Sequence, residues 1–139
     1  MSRVLAIDYG EKRTGLAVTD TLKMIASALT TVETTTLWEF LSTYLTKEDV
    51  DTVVLGLPLR LNSELSAIEP KIQKLQRKIA HEYPAIKIER QDERFTSKLA
   101  IDAMIEGGMK KKDRQKKGNI DKISATLILQ DYLNRSSRV

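Results

Sequence analysis

The chain contains no cysteine and only one histidine, His81. Without thiols there is no disulfide framework, no thiolate nucleophile and no Cys-ligated zinc. With a single imidazole, neither a His-based metal cluster nor a Ser-His-Asp triad can be assembled. No apolar stretch approaches about 20 residues, so no segment is expected to span a membrane. The N-terminus MSRVLAIDYG runs through four apolar residues into an Asp, which is not the pattern of a signal peptide, and the expected compartment is the cytoplasm. Aromatic residues make up 5% of the chain. Any hydrolytic chemistry therefore falls to carboxylates, alone or with a metal ion.

What is present suits a folded protein. The 139 residues are 41% hydrophobic and 30% charged, a length and balance expected of one domain spanning 1–139 with a real core. The formal charge is +4, which by itself points only weakly to a polyanionic partner.

Hydrophobic periodicity places the elements. The apolar run 4–7 reads as a buried strand, 10–13 as a turn, and TGLAVT (14–19) as a second strand pairing back in a hairpin. A third strand is expected over 26–31. Leu37, Trp38, Leu41, Tyr44 and Leu45 recur at helical spacing. TVVLGL (52–57) is a buried strand stopped by Pro58. Ile68, Ile72, Leu75 and Ile79 mark a helix to about Glu82, with Pro70 in its first turn. Residues 85–90 alternate as a strand. Thr96 caps a helix carrying Leu99, Ala103 and Met104 and ended by Gly107-Gly108. After a charged stretch, Asn119 caps a last helix containing Ile120, Ile123, Leu127, Ile128 and Leu133. The order predicts a five-stranded mixed sheet, three antiparallel strands followed by parallel ones, flanked by helices. Sites in open α/β sheets lie at the carboxyl ends of strands.

Acids stand at those ends. Asp8 closes the first apolar run, where an unpaired carboxylate is costly; a turn Asp is the plain alternative. Asp92 and Glu93 follow a later strand, where a solvated loop would also explain them. Asp121 lies in the first turn of the last helix, where it suits the helix dipole, yet its neighbours Ser124, Ala125 and Ile128 form a mostly buried face. Taken together they are the oxygen ligands that Mg²⁺ or Mn²⁺ prefers, and such ions can activate a water for phosphodiester cleavage.

Four segments in register, IDYGEKRTGLAVTD (7–20), VVLGLPL (53–59), DERFTS (92–97) and KKGNIDKISATLILQDYL (116–133), resemble the bacterial YqgF family. That family comprises ribonuclease-H-like proteins described as Holliday junction resolvases or pre-16S ribosomal RNA nucleases. The resemblance runs nearly end to end. It implies a ribonuclease-H-like fold and metal-dependent cleavage of nucleic acid. Asp8, Glu93 and Asp121 would be the catalytic acids, with Asp92 a further metal ligand. Gly10 and Gly15 would shape the first turn, Gly56 and Pro58 the GLP turn. Arg13 fits the first motif as a substrate contact, and Arg94 would hold a phosphate or orient Glu93. Departures are Thr14 for a usual Ile or Val, Arg60-Leu61-Asn62-Ser63 for a usual Asn-Met-Asp-Gly stretch, Phe95 for a common Leu and Ser124 for a common Ala. The wider resolvase fold carries an acid at the end of the fourth strand, where this chain has Gly56-Leu57-Pro58; Glu93 is the candidate to stand in for it.

The run KKKDRQKK (110–117) carries a net +5, so the other 131 residues sum to −1. Most charge runs are solvated faces. Here Lys110, Lys111, Lys112, Arg114, Lys116 and Lys117 precede Asp121 closely enough to clamp a phosphate backbone. Trp38, Phe40 and Tyr44 read as core and its margin, Tyr9 and Phe95 as better placed to touch a nucleotide, and His81 as an exposed bystander. The expected partner is nucleic acid, precursor rRNA or branched DNA, and no membrane. Junction cleavage would call for a homodimer with two sites. A non-catalytic binding factor on the same fold is the main rival; an actin–hexokinase type ATPase would need a second lobe that 139 residues do not supply.

Overall fold

The computed structural model describes residues 2–58, 66–93 and 117–136, the last segment with side chains over 123–135. Strands β1 (Arg3–Asp8), β2 (Arg13–Thr19) and β3 (Ala26–Glu33) are followed by a 3₁₀ turn (Thr34–Thr36) and helix α1 (Leu37–Lys47). Then come β4 (Val50–Leu57), helix α2 (Glu69–Glu82), β5 (Lys87–Asp92) and helix α3 (Lys117–Ser136). The five strands form one sheet in the order β3-β2-β1-β4-β5. The first three pair antiparallel, and β4 and β5 join in parallel on the other side of β1. The mixed sheet expected from element order is therefore present.

Strand alternation explains how the sheet is covered. Successive side chains point to opposite faces, and the central strands β1 and β4 are buried on both. Leu5, Ile7, Val53 and Leu55 pack with Leu37, Leu41, Ile72 and Ile79 of α1 and α2. Val4, Ala6, Ala17 and Val54 pack with Ala125, Ile128 and Leu129 of α3. The alanines on that second face let α3 lie close to the sheet. Trp38, Phe40 and Tyr44 are half-buried against the first cluster, as their helical spacing suggested.

Several boundaries differ from expectation: β3 runs on to Glu33 and β4 already begins at Val50. β5 begins at Lys87 and continues through Asp92, two residues later than the alternating pattern indicated. The cause is a turn after Pro84, in which the Ile86 N–H donates to the Tyr83 carbonyl at 3.0 Å. Helix α3 already contains Lys117 and Gly118, so Asn119 lies inside it and is not its cap. β1 takes in Asp8, placing the first acid in the ladder, not in the following turn. The helix expected from Thr96, the stretch Arg60-Leu61-Asn62-Ser63 and the basic run up to Lys116 lie outside the described residues.

Candidate active site

Asp8 is the last residue of β1 and pairs with Gly15 of β2. Alternation puts its side chain on the face of Val4 and Ala6, the face covered by α3. The parallel register aligns Ile7 with Leu55, so Asp8 lies alongside Gly56 at the carboxyl end of β4. Glu93 follows β5 directly, and its N–H donates to the Leu57 carbonyl at 3.2 Å. From there its side chain reaches back over β4. A β-carbon on Gly56 would overlap Glu93 Oε2 and would stand 3.0 Å from its Cδ and 3.1 Å from Ile128 Cδ1. The missing side chain at position 56 is thus the slot that the Glu93 carboxyl fills.

In that slot Glu93 is hydrogen-bonded to Asp8, and its pKa is pushed up to about 8. Burial is the largest cause, followed by the negative charge of Asp8, with Asp92 adding to it and the Arg90 cation opposing it. Two carboxyl groups this close cannot both ionise without a compensating cation. Glu93 Oε2 is buried and has no hydrogen-bond partner among the described residues. An orphaned carboxylate oxygen beside a second acid suits a hard divalent cation. Asp92 is aligned with Leu57 inside β5, on the opposite side of the pleat from the direction Glu93 takes. Of the two adjacent acids, Glu93 is the one brought to Asp8.

Asp121 belongs to α3, one turn ahead of the buried Ser124 and Ala125 and two turns ahead of Ile128. That helical stripe faces the Asp8–Glu93 side of the sheet; the Asp121 side chain lies outside the described residues. Among the described residues no group of three or more metal-ligating side chains converges. Arg13 opens β2 opposite Glu33 and is half-buried. Arg94, Lys110, Lys111, Lys112, Arg114 and Lys116 lie outside the described residues, as does the side chain of Lys117.

The turn residues have concrete roles. A β-carbon on Gly10 would overlap the Arg13 carbonyl oxygen and stand 3.3 Å from its carbon, so only glycine permits the tight β1–β2 return. Gly15 is buried opposite Asp8. Pro58 ends β4, and its carbonyl accepts from Ser66 N at 2.9 Å.

Two supporting groups were not among the predicted site residues. Glu69 is 2% exposed at the start of α2. Arg90 grips it with two bonds, Nη1 to Oε2 at 2.9 Å and Nη2 to Oε1 at 2.5 Å. The same guanidinium donates to the Gly56 carbonyl at 3.0 Å and the Leu55 carbonyl at 3.3 Å, fixing the strand end beneath Glu93. In the sequence Glu69 looks like any acid in a first helical turn. Thr14, fully buried, shares a 2.9 Å hydrogen bond with Thr34, whose hydroxyl donates to the Gly10 carbonyl at 2.6 Å. The departure to Thr at position 14 thus ties the first turn to the 3₁₀ turn before α1.

A central strand ending in an acid, flanked by an antiparallel meander and by parallel strands whose far end supplies a second acid, defines a ribonuclease-H-like nuclease. The same architecture is found in Thermus thermophilus RuvC. One structure, of that protein in complex with Holliday junction substrate, matches at a TM-score of 0.52 with 17% identity, covering 99% of this chain and 96% of that one. A second RuvC structure matches at 0.53 with 14% identity, covering 97% and 96%. Residues 2–135 match the family model RuvX, Holliday junction resolvase, and the chain belongs to that family. It is 52% identical over 135 residues to a protein of Flavobacterium psychrophilum, covering 97% of this chain and 98% of the relative. It is 51% identical over 133 residues to one of Bacteroides thetaiotaomicron, covering 96% of each. Both relatives bear the name "Putative pre-16S rRNA nuclease".

Proposed function

We propose that residues 1–139 act as one divalent-cation-dependent endonuclease domain that hydrolyses phosphodiester bonds in structured RNA, processing the 5′ end of precursor 16S rRNA in the cytoplasm. The observation that carries this reading is the Glu93 carboxyl lying over Gly56, hydrogen-bonded to Asp8, with one oxygen buried and unsatisfied. The names of relatives about half identical to this chain supply the substrate class.

In this reading Asp8, Glu93 and Asp121 hold Mg²⁺ or Mn²⁺, with Asp92 close enough to bias the charge of the site. The bound ion supplies Lewis-acid stabilisation of the phosphate and a more acidic water. The protein's own part is positioning. Gly56 keeps the slot open, Arg90 holds the strand end under it, and the Gly10 turn and Arg13 present the substrate side. Arg94 and the cations of 110–117 draw in and hold the phosphate backbone, giving affinity without sequence readout.

The family description, Holliday junction resolvase, favours a second substrate, a four-way DNA junction; cutting it symmetrically would call for a homodimer. The test is cleavage of a precursor 16S RNA fragment and of a DNA four-way junction with Mg²⁺ or Mn²⁺, alongside Asp8→Asn, with the oligomeric state measured on each substrate. RNA cleavage lost in Asp8→Asn, with binding retained, supports the proposal. Junction cleavage by a dimer would replace the substrate, and binding without cleavage of either would replace the nuclease with a binding factor.

A further inference from the structure

A cleft of about 440 Å³ opens between the N-terminal ends of α1 and α2, on the face of the sheet opposite Asp8 and Glu93. It lies at the same carboxyl edge. Tyr9, the residue after Asp8, lines it, and alternation sends consecutive strand side chains to opposite faces. Tyr9 therefore joins the acid-bearing edge of the sheet to the cleft on its other face.

The lining has the chemistry of a single-strand path. Lys71, Lys74 and Lys78 are spaced by three and four residues along α2, so they share one face of the helix, and all three are exposed and line the cleft. Lys78 Nζ lies 4.2 Å over the Trp38 ring. Lys71 is 3.5 Å from Glu11 in an exposed pair of little net worth. Lys74 forms no ion pair among the described residues. Tyr9 and Trp38, both half-buried, form the aromatic wall. Basic side chains tracking a backbone beside aromatic platforms are how proteins hold unpaired nucleotides. The basic run 110–117 accounts for more than the whole net charge, yet these three lysines are drawn together on an otherwise balanced body.

We infer that this cleft binds the single-stranded segment flanking the scissile phosphate, with Lys71, Lys74 and Lys78 on successive phosphates and bases against Tyr9 and Trp38. The inference rests on the nuclease reading for the place of the scissile phosphate, but the binding surface is testable without catalysis.

Trp38 is the chain's only tryptophan, so its emission reports on the cleft alone. The full chain is titrated in EDTA with a short oligouridylate, a short oligothymidylate and a duplex RNA of equal length. Both single strands should change Trp38 emission, and a preference for the RNA strand would add a sugar contact to the same site. Lys71→Glu/Lys74→Glu, two exposed positions whose folding is checked by melting, should weaken that binding about tenfold or more and shrink the log–log salt slope by about 1.4. These results hold the cleft in place even if no metal ion elicits cleavage, in which case only the nuclease reading falls. Oligonucleotide binding that leaves Trp38 emission unchanged, binding confined to the duplex, no binding, or double-variant affinity equal to the parent would overturn the cleft. Metal-dependent cleavage in any of those cases would leave the nuclease reading standing alone.

Discussion

Gly56 and Glu93 share one volume: the carboxyl group of Glu93 occupies the space where a side chain on residue 56 would begin. Glu93 comes from the end of β5 and Gly56 from the end of β4, so the acid of one strand lies at the end of its neighbour. Gly56→Ala would push Glu93 off Asp8 and press on Ile128, which stands 3.1 Å from the new carbon. Overpacking of this kind costs about 1–3 kcal/mol. We expect that loss in a urea titration, together with loss of metal-dependent cleavage. Full activity in a stably folded Gly56→Ala protein would show that Glu93 does not need the slot.

The raised pKa of Glu93 predicts that the metal-free protein loses stability as pH rises toward 8. Its ordinary value is 4.5 and its folded value about 8. A pKa raised by folding contributes stability that is fully present below the unfolded value and is lost as pH rises through the folded one. The melting temperature in EDTA should therefore fall between about pH 4.5 and pH 8. Glu93→Gln should flatten that limb, and Mg²⁺ should restore the parent protein at the upper end by binding the ionised pair. A melting profile of the parent in EDTA that is flat over this window would disprove the coupling.

The opposite sign applies to Glu69. The Arg90 hydrogen bond is the main reason its carboxyl is held below the usual range, with burial working against it. Its stabilising share is present above the unfolded value of 4.5 and is lost as pH falls through the depressed folded one. Glu69→Gln should cost about 3 kcal/mol at neutral pH by stranding a mostly buried guanidinium and should blunt the acid limb of the stability curve. Since Arg90 also holds the Gly56 carbonyl, its cleavage rate should drop as well. Equal denaturation midpoints for parent and variant at pH 7 would refute this.

The Thr14–Thr34 hydroxyl pair should be worth about 1 kcal/mol. Thr14→Val and Thr34→Val, singly and combined, form a double-mutant cycle in which the coupling term reads that bond. Additive losses would mean that the first turn is held without it.

Much of the fold was legible because period and punctuation are local. The four-residue apolar run of β1, the TVVLGL core of β4 with Pro58 behind it and the helical spacing of Leu37, Leu41 and Leu45 depend on neighbours in the chain. Boundaries that long-range pairing decides were not legible. β5 runs on through Asp92 because Gln91 and Asp92 find partners in Gly56 and Leu57, and no alternation of side chains announces that. α3 reaches back to Lys117 through a run that composition alone marks as charged loop.

The sequence by itself determined which chemistry is open to this protein. With no thiol and one imidazole, only oxygen ligands remain, and their places at strand and helix ends follow from the local pattern. Tertiary structure alone decided which acids meet. Asp92 and Glu93 are adjacent in the chain, but the pleat sends them to opposite faces, and the glycine slot beside Asp8 lies on the face covered by α3. It also decided that Glu69 is buried and gripped and that Tyr9 and Trp38 share a cleft with three lysines. Burial, register and the meeting of distant side chains are properties of the packed sheet and helices, and no short-range pattern encodes them.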